Sequence, residues 1–130
     1  MPEPSEADYA RLLHFRSALR RFLHWSEEQA RDAGLTPAQH QLLLAIKGHE
    51  GEAGPTIGDA AEYLALRHHS VVGLVDRAER AGLVERRRDP DDHRVIHLRL
   101  TVAGEERIRM LSAAHLRELE QLPFPPPRVD

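Results

Sequence analysis

Residues 66–104 decide the fold, and they read LRHHSVVGLVDRAERAGLVERRRDPDDHRVIHLRLTVAG. The first part of this stretch carries apolar residues at the i, i+3, i+4 and i+7 positions of a helix, namely Val71, Leu74, Val75 and Ala78. Gly82 is placed to end that helix. Beyond it, the apolar-to-basic residues 83–88 and the alternating residues 95–100 flank the turn-forming residues 89–92. The stretch therefore predicts an amphipathic helix over about residues 69–81, followed by a two-stranded β-hairpin.

Three helices are predicted upstream of this stretch. The first spans about residues 5–33, and its helical stripe consists of Leu12, Phe15, Leu19, Phe22, Leu23, Ser26 and Ala30. The motif TPAQ at residues 36–39 is a complete start signal for a second helix that runs to about Gly48. After a loop that contains glycine and proline, Thr56 caps a short third helix that ends near Ala65.

A last long helix begins after Thr101, and its stripe consists of Ile108, Leu111, His115, Leu119 and Leu122. Pro123 ends it, because proline cannot continue a helix. The expected fold is mainly α with a small β-hairpin wing, a winged helix-turn-helix with long N- and C-terminal helices. Such a fold places one helix in the major groove of DNA while the hairpin reaches the adjacent backbone or minor groove.

Composition limits the classes of function. The chain has 130 residues, a formal net charge of −3 and no cysteine, which excludes thiol chemistry and disulfides. Its longest apolar run, residues 42–46, is far shorter than a membrane span, and the first residues are not a basic leader, so a cytoplasmic protein without membrane contact is expected. The basic excess lies in residues 66–110, which hold 10 Arg against 8 acidic residues. This excess fits either a polyanion contact or a solvated arginine-rich face.

Catalytic and metal-binding motifs are absent from the sequence. It contains no Gly-x-Ser-x-Gly, no glycine-rich phosphate loop and no His-Glu-x-x-His, so neither an enzyme nor a bound cofactor is expected. Among nine histidines the close pair, His68 and His69, points to different sides of a helix, whereas zinc needs three or four converging ligands. No metal site is therefore predicted.

Four short motifs carry a family resemblance: residues 70–77, 81–86, 89–94 and 100–104. Together they resemble the MarR family of bacterial transcription regulators, over about residues 35–119. The wing signature of that family, Asp-x-Arg followed by five residues and Leu-Thr, is met by Asp92, Arg94, Leu100 and Thr101.

The resemblance implies an obligate homodimer on a pseudo-palindromic DNA operator, with half-sites about 10 bp apart. It divides the chain into a dimerisation helix at residues 1–34, the DNA-binding region at 35–100, a second dimerisation helix at 101–122 and a proline-rich tail at 123–130, in one intertwined domain. The two apolar stripes also favour a dimer, because they leave more apolar surface than a small winged domain covers alone. The residues expected to dimerise are Leu12, Phe15, Leu19, Phe22, Ile108, Leu111, Leu119 and Leu122. In the tail, Phe124 is the expected anchor on a partner.

Residues expected at the DNA lie on the fourth helix and the wing. Arg94 resembles the arginine that enters the minor groove, held in place by Asp92, and the alternative is a hairpin salt bridge between the two. The start of the fourth helix offers His68, His69 and Ser70 to phosphates and base edges, and Gly73 leaves direct readout sparse there. Arg77 contacts phosphate or pairs with Asp76 or Glu79. The run Arg86, Arg87 and Arg88 supplies affinity for the DNA backbone or is merely solvated. The last candidate is His93, whose charge would depend on pH.

The same resemblance implies a repressor that a small phenolic or anionic molecule releases from DNA. The crevice for that effector would be lined by His14, Arg16, Trp25, His40 and His115. Each of these is alternatively a core or interface residue. The competing function is a winged-helix module that binds a protein partner and has lost specific DNA binding.

Overall fold

A computed structural model describes residues 2–122, and its order of elements is the one predicted from the sequence. Five helices and one hairpin follow in the order α1 (Glu6–Asp32), α2 (Pro37–Gly48), α3 (Ile57–Leu64), α4 (His68–Arg80), β1 (Val84–Arg88), β2 (Ile96–Leu100) and α5 (Val102–Leu119) within this range. The predicted fold class is confirmed. The fourth helix begins one residue earlier than expected, and α5 ends three residues before Leu122. The proline-rich tail and Phe124 lie outside the described residues.

Local side-chain caps explain where most helices begin. Ser5, Thr36 and Thr56 each accept a hydrogen bond from the backbone of the third helical residue, whose side chain accepts in return, so α1, α2 and α3 start with a full capping box. The Thr101 hydroxyl accepts from the amide of Gly104 at the start of α5. By contrast, Arg67 precedes α4 without a side-chain cap. The first amides of α4 are therefore left without a capping side chain.

The turn between α3 and α4 is short because Ala65 adopts a left-handed conformation, with φ of 53°. The amide of Leu66 then reaches back to the carbonyl of Ala61 at 3.0 Å. A non-glycine residue in this conformation is uncommon, and surrounding packing has to hold it there. The result is a helix-turn-helix pair in which α3 supports α4.

The hairpin is an antiparallel pair in which Val84 lies opposite Leu100 and Arg88 opposite Ile96. Its base is attached to the segment before α3, since the amide of Leu98 donates to the carbonyl of Pro55 at 2.8 Å. A bridge between Thr56 and His97 continues this attachment. The wing is thus built onto the helix-turn-helix at its base.

One hydrophobic core joins the helices to the hairpin. Its fully buried large side chains include Leu42, Leu43, Leu98 and Ile108. Ile108 and Leu111 are 1% and 4% exposed within this single-chain core. The sequence places these two residues on a surface shared with a second chain, but the structure buries both in the core of their own chain.

Apolar side chains nevertheless remain uncovered on the two long helices. Leu12 is 63% exposed and Leu116 65% exposed. Other exposed apolar residues on these helices are Tyr9, Leu13, Phe15, Leu23, Val102 and Met110. Leu19, Phe22, Leu119 and Leu122 are half-buried. Most of the exposed large apolar side chains of the described residues therefore lie on α1 and α5.

Candidate nucleic-acid interface

The start of α4 presents polar side chains and free amides to solvent. Val71, Leu74 and Val75 bury the inner side of the helix, which leaves His68 and His69 exposed and Ser70 half-buried on its first turn. The first amide of α4 that donates to a backbone carbonyl is that of Ser70, and the amides of His68 and His69 precede it. Free N–H groups at the positive end of a helix dipole attract anions such as phosphate.

Gly73 and Arg77 share the exposed side of α4. A Cβ built on Gly73 would lie 3.3 Å from Nη1 of Arg77, so the guanidinium lies against the gap that the glycine leaves. Asp76 and Glu79, the acids considered as internal partners of Arg77, are instead bound by Arg86. Arg77 therefore keeps its charge on the exposed face of the helix.

Arg86 joins the wing to α4. Its Nη2 lies 2.6 Å from Oδ1 of Asp76, and its Nη1 lies 2.6 Å from Oε1 of Glu79. The Arg86 side chain is only 24% exposed, much less than its partners. Because both terminal nitrogens already face carboxylates, this arginine is placed to hold β1 against α4, a role that the sequence pattern did not predict.

The next two arginines of β1 are more exposed but also have contacts. Arg87 donates through Nε and Nη2 to Oε1 of Glu85, at 3.2 and 3.1 Å. Arg88 reaches across the wing turn and donates to the carbonyl oxygen of His93 at 3.2 Å. Their charge remains at the surface beside the wing, whereas that of Arg86 is neutralised by two acids.

Arg94 lies at the end of the wing turn with 89% of its side chain exposed. Its Nε and Nη2 donate to the two carboxylate oxygens of Asp92 at 3.0 and 3.1 Å. These bonds lower the pKa of Asp92 and raise the pKa of Arg94, chiefly through the side-chain hydrogen bond between them. The carboxylate fixes the direction of the guanidinium and leaves its remaining donors facing solvent.

Asp89 organises the wing turn, although the sequence alone indicated it only as a turn-forming residue. Its Oδ1 accepts from the amides of Asp91 and Asp92 at 2.8 and 2.9 Å. Its Oδ2 lies 2.9 Å from Nε2 of His97. The backbone hydrogen bond from Asp92, followed by the bond to His97 and that from Asp91, lowers the pKa of Asp89 to about 2. His97 itself was missed, since only its alternation along the strand was visible in the sequence.

The proposed effector residues fall into two groups. Trp25, His40 and His115 meet where α1, α2 and α5 pack together, with the His115 ring centroid 4.8 Å from each of the other two. His14 and Trp25 also line a cleft of about 490 Å³ between α1 and the end of α5. Arg16 lies about 200° around α1 from His14, on the opposite side of the helix.

The two histidines of this junction are held in different ways. Nδ1 of His115 donates to the carbonyl of Leu111 at 2.7 Å, so its Nε2 accepts from the Ser26 hydroxyl at 2.6 Å in the neutral form. His40 is 3% exposed. Burial first, and the neighbouring His115 second, lower the pKa of His40 to about 4. His40 is therefore uncharged at neutral pH.

Residues 2–122 contain neither a cluster of metal-ligating side chains nor a membrane-spanning helix. In this range no three His, Asp or Glu side chains converge as metal ligands would. No helix in the same range is both long and apolar enough to cross a membrane.

Comparison with known proteins agrees with this geometry. The sequence matches the model of the MarR family over residues 33–95. It is 32% identical over 108 residues to YcgE of Bacillus subtilis, an HTH-type transcriptional regulator, and the match covers 82% of this chain and 68% of YcgE. It is also 32% identical over 78 residues to MdtR of the same organism, an HTH-type transcriptional repressor. That match covers 60% of this chain and 48% of MdtR.

A solved structure of a MarR family protein from Bacillus stearothermophilus superposes with a TM-score of 0.75. The two chains are 30% identical, and the superposition covers 92% of this chain and 79% of the other. Family model, sequence relatives and fold agree on the same winged helix. The chain belongs to the MarR family of transcriptional regulators, non-enzymatic proteins that bind DNA through this winged helix-turn-helix.

Proposed function

We propose that this MarR family regulator is a homodimeric repressor that binds a pseudo-palindromic operator and is released by a small ligand. One observation carries the proposal: the free start of α4 and the exposed guanidinium of Arg94 belong to one unit, because Arg86 ties β1 to α4. In this assignment His68, His69 and Ser70 face the major groove and Arg94 enters the minor groove. Arg77, Arg87, Arg88 and His93 add contacts to the DNA backbone, and Arg86 positions the wing.

The dimer is proposed from the uncovered surface of the long helices. Leu12 and Leu116 are each more than half exposed on α1 and α5, and large contiguous apolar patches on a soluble chain are usually interfaces. Residues 1–34 and 101–122 would then supply the dimer contact, and residues 35–100 the DNA contact. Two α4 helices in such a dimer would lie about 34–36 Å apart, one turn of DNA.

The repressor role draws support from the likeness to MdtR, which is named a transcriptional repressor. The effector site is proposed at the cleft beside Trp25, where Phe22 and Trp25 supply aromatic walls, Arg21 a positive charge and Glu118 a negative one. The aromatic walls suit a small phenolic molecule, and Arg21 would bind an anionic group. His115 connects this cleft to His40 on α2, and hence to the DNA-binding region.

Fluorescence anisotropy tests the DNA contact. The probes are a labelled duplex from the region upstream of the gene and an unrelated duplex of equal length, each at two salt concentrations. We expect tight, salt-dependent binding to the upstream duplex and a loss of about tenfold or more in Arg94→Ala. Arg20→Ala, which removes an exposed arginine from α1, is the matched control and should bind as the wild type does. Absence of binding at low salt would favour the protein-interaction module instead.

Sedimentation velocity tests the dimer. Leu12→Asp places a charge in the uncovered apolar surface and should shift the protein from dimer to monomer. Leu44→Asp, the same substitution at an exposed leucine of α2 outside the two long helices, is the control and should leave the dimer intact. A wild-type protein that sediments as a monomer would contradict the assignment of the two long helices.

A further inference from the structure

His97 joins two separate parts of the DNA-binding region through both of its ring nitrogens. Its Nδ1 lies 2.9 Å from the carbonyl oxygen of Gly54, in the segment before α3. Its Nε2 lies 2.9 Å from Oδ2 of Asp89, at the start of the wing turn. Both partners are acceptors, so both ring nitrogens must donate. Only the imidazolium form of histidine has two N–H donors.

The surroundings are built for this contact. The His97 side chain is 15% exposed and that of Asp89 25% exposed, so water competes little for their bond. Gly54 has a φ of +87°, and a Cβ there would overlap the carbonyl oxygen of Leu98. Only glycine can therefore bring this loop close enough to β2 for its carbonyl to meet His97.

Charged groups lie on the elements around the ring. Asp89 lies on the wing turn, Asp59 on α3, and Arg87 opposite His97 on β1, where Glu85 binds its guanidinium. The hydrogen bond to Asp89 first, and then that to Gly54, raise the pKa of His97, while partial burial opposes them. The carboxylate of Asp89 and the carbonyl of Gly54 thus favour the imidazolium form of His97.

The contact extends to the wing arginine. Asp89 uses its other oxygen to bind the amides of Asp91 and Asp92, and Asp92 holds the guanidinium of Arg94. We propose that His97 is a positioning residue for DNA binding, which in its imidazolium form anchors Asp89 and thereby fixes the wing turn that presents Arg94. The proposal rests on the proposed contact of Arg94 with DNA.

The sign of the pH effect follows from the direction of the pKa. A histidine whose pKa is raised on folding contributes its full stabilisation below the unfolded value of 6.5 and loses it as the pH rises through the folded value. A neutral ring donates one hydrogen bond, so either Gly54 or Asp89 loses its partner. We therefore expect the wing turn to loosen and DNA affinity to fall on the alkaline side.

The test compares wild type, His97→Gln and His24→Gln. Glutamine donates from one nitrogen and does not titrate, and His24 is an exposed histidine of α1, outside the proposed DNA contacts, that serves as control. Hydrogen exchange of residues 89–97 is measured in the free full chain from about pH 6 to about pH 9, corrected for the intrinsic rate. Anisotropy on the upstream duplex is measured over the same range at constant ionic strength.

We expect wing protection to fall with pH in wild type and in His24→Gln but to be low and constant in His97→Gln. DNA affinity of the first two proteins should fall about tenfold more over this range than that of His97→Gln. Equal pH dependence in His97→Gln and wild type would overturn the proposal. Constant wing protection in the wild type would overturn it as well, and that measurement does not require any variant to fold. If the wild type fails to bind DNA, only the proposed contact of Arg94 with DNA is contradicted. Hydrogen exchange in the free protein still decides the role of His97.

Discussion

Acidification should destabilise this protein through His40 before its carboxylates are protonated. His40 lies at the junction of α2 with α5, is 3% exposed, and faces the ring of His115 at 4.8 Å. Burial and this neighbour lower its pKa to about 4. In the unfolded chain the same ring takes up a proton near pH 6.5. Between these two values the unfolded state therefore binds more protons, and the free energy of unfolding falls as the pH falls.

The magnitude follows from the two pKa values. One pKa unit corresponds to about 1.36 kcal/mol, so the difference between about 4 and 6.5 costs about 3 kcal/mol once the pH is below 4. That is a large part of the stability of a small domain, about 5–15 kcal/mol. Asp89 and Asp92 have lowered pKa values and lose their contribution only below their ordinary value of 3.8, Asp89 near 2. His97 keeps its full contribution below 6.5, so the interval from 6.5 to 4 isolates His40.

Urea denaturation at several pH values across this interval, on wild type and His40→Gln, measures the effect. His40→Gln removes the titrating ring but keeps a polar side chain, and it should lose about 3 kcal/mol less than the wild type over the interval. His14→Gln, at an exposed position on α1, should follow the wild type. Parallel curves for His40→Gln and wild type would refute the reasoning, because the pH dependence would then come from other groups.

Two further predictions concern the packing around the wing. Arg86→Gln leaves Asp76 and Glu79 unpaired on the DNA side of α4. It should therefore weaken DNA binding about tenfold in anisotropy and lower the free energy of unfolding by about 1 kcal/mol in urea denaturation. An effect no larger than that of Arg87→Gln would contradict the role of Arg86 in holding β1 against α4. Gly104→Ala places a Cβ against the carbonyl oxygen of Leu83 and should cost about 1–3 kcal/mol in thermal denaturation, whereas Gly48→Ala, which meets open space, should not.

Most secondary structure could be predicted because its signals are local. Thr36 and Thr56 with their partners three residues later begin α2 and α3 as the motifs indicate, and the structure contains both capping boxes. The spacing of Val71, Leu74 and Val75 likewise identified the buried side of α4. Such signals extend over one or two turns of helix, a range in which the sequence pattern and the geometry are directly related.

Contacts between distant segments could not be predicted in the same way. The partners of Arg86 lie 10 and 7 residues before it on α4, and a run of three arginines gives no indication which of them turns inward. His97 and Gly54 are 43 residues apart and meet only because β2 packs beside the loop before α3. The stripe of α5 was assigned to one surface, yet Ile108 packs into its own chain while Leu119 is only half-buried. A helical wheel shows which residues share a side but not what covers that side.

The contacts that join the wing to α4, and both of them to the long helices, bear on how a ligand could act. Arg86 holds β1 against α4 through two carboxylates, and His97 holds the wing turn against the segment before α3. The long helices join this unit through the ion pair of Lys47 with Glu105 on α5, the amide of Thr101 that donates to the carbonyl of Leu83, and the ring contact of His40 with His115. A molecule bound in the proposed cleft beside Trp25 would move α4 and the wing together, because the contacts of Arg86 and His97 join them. It would change the spacing of two such units in a dimer and leave the position of Arg94 within each unit as it is.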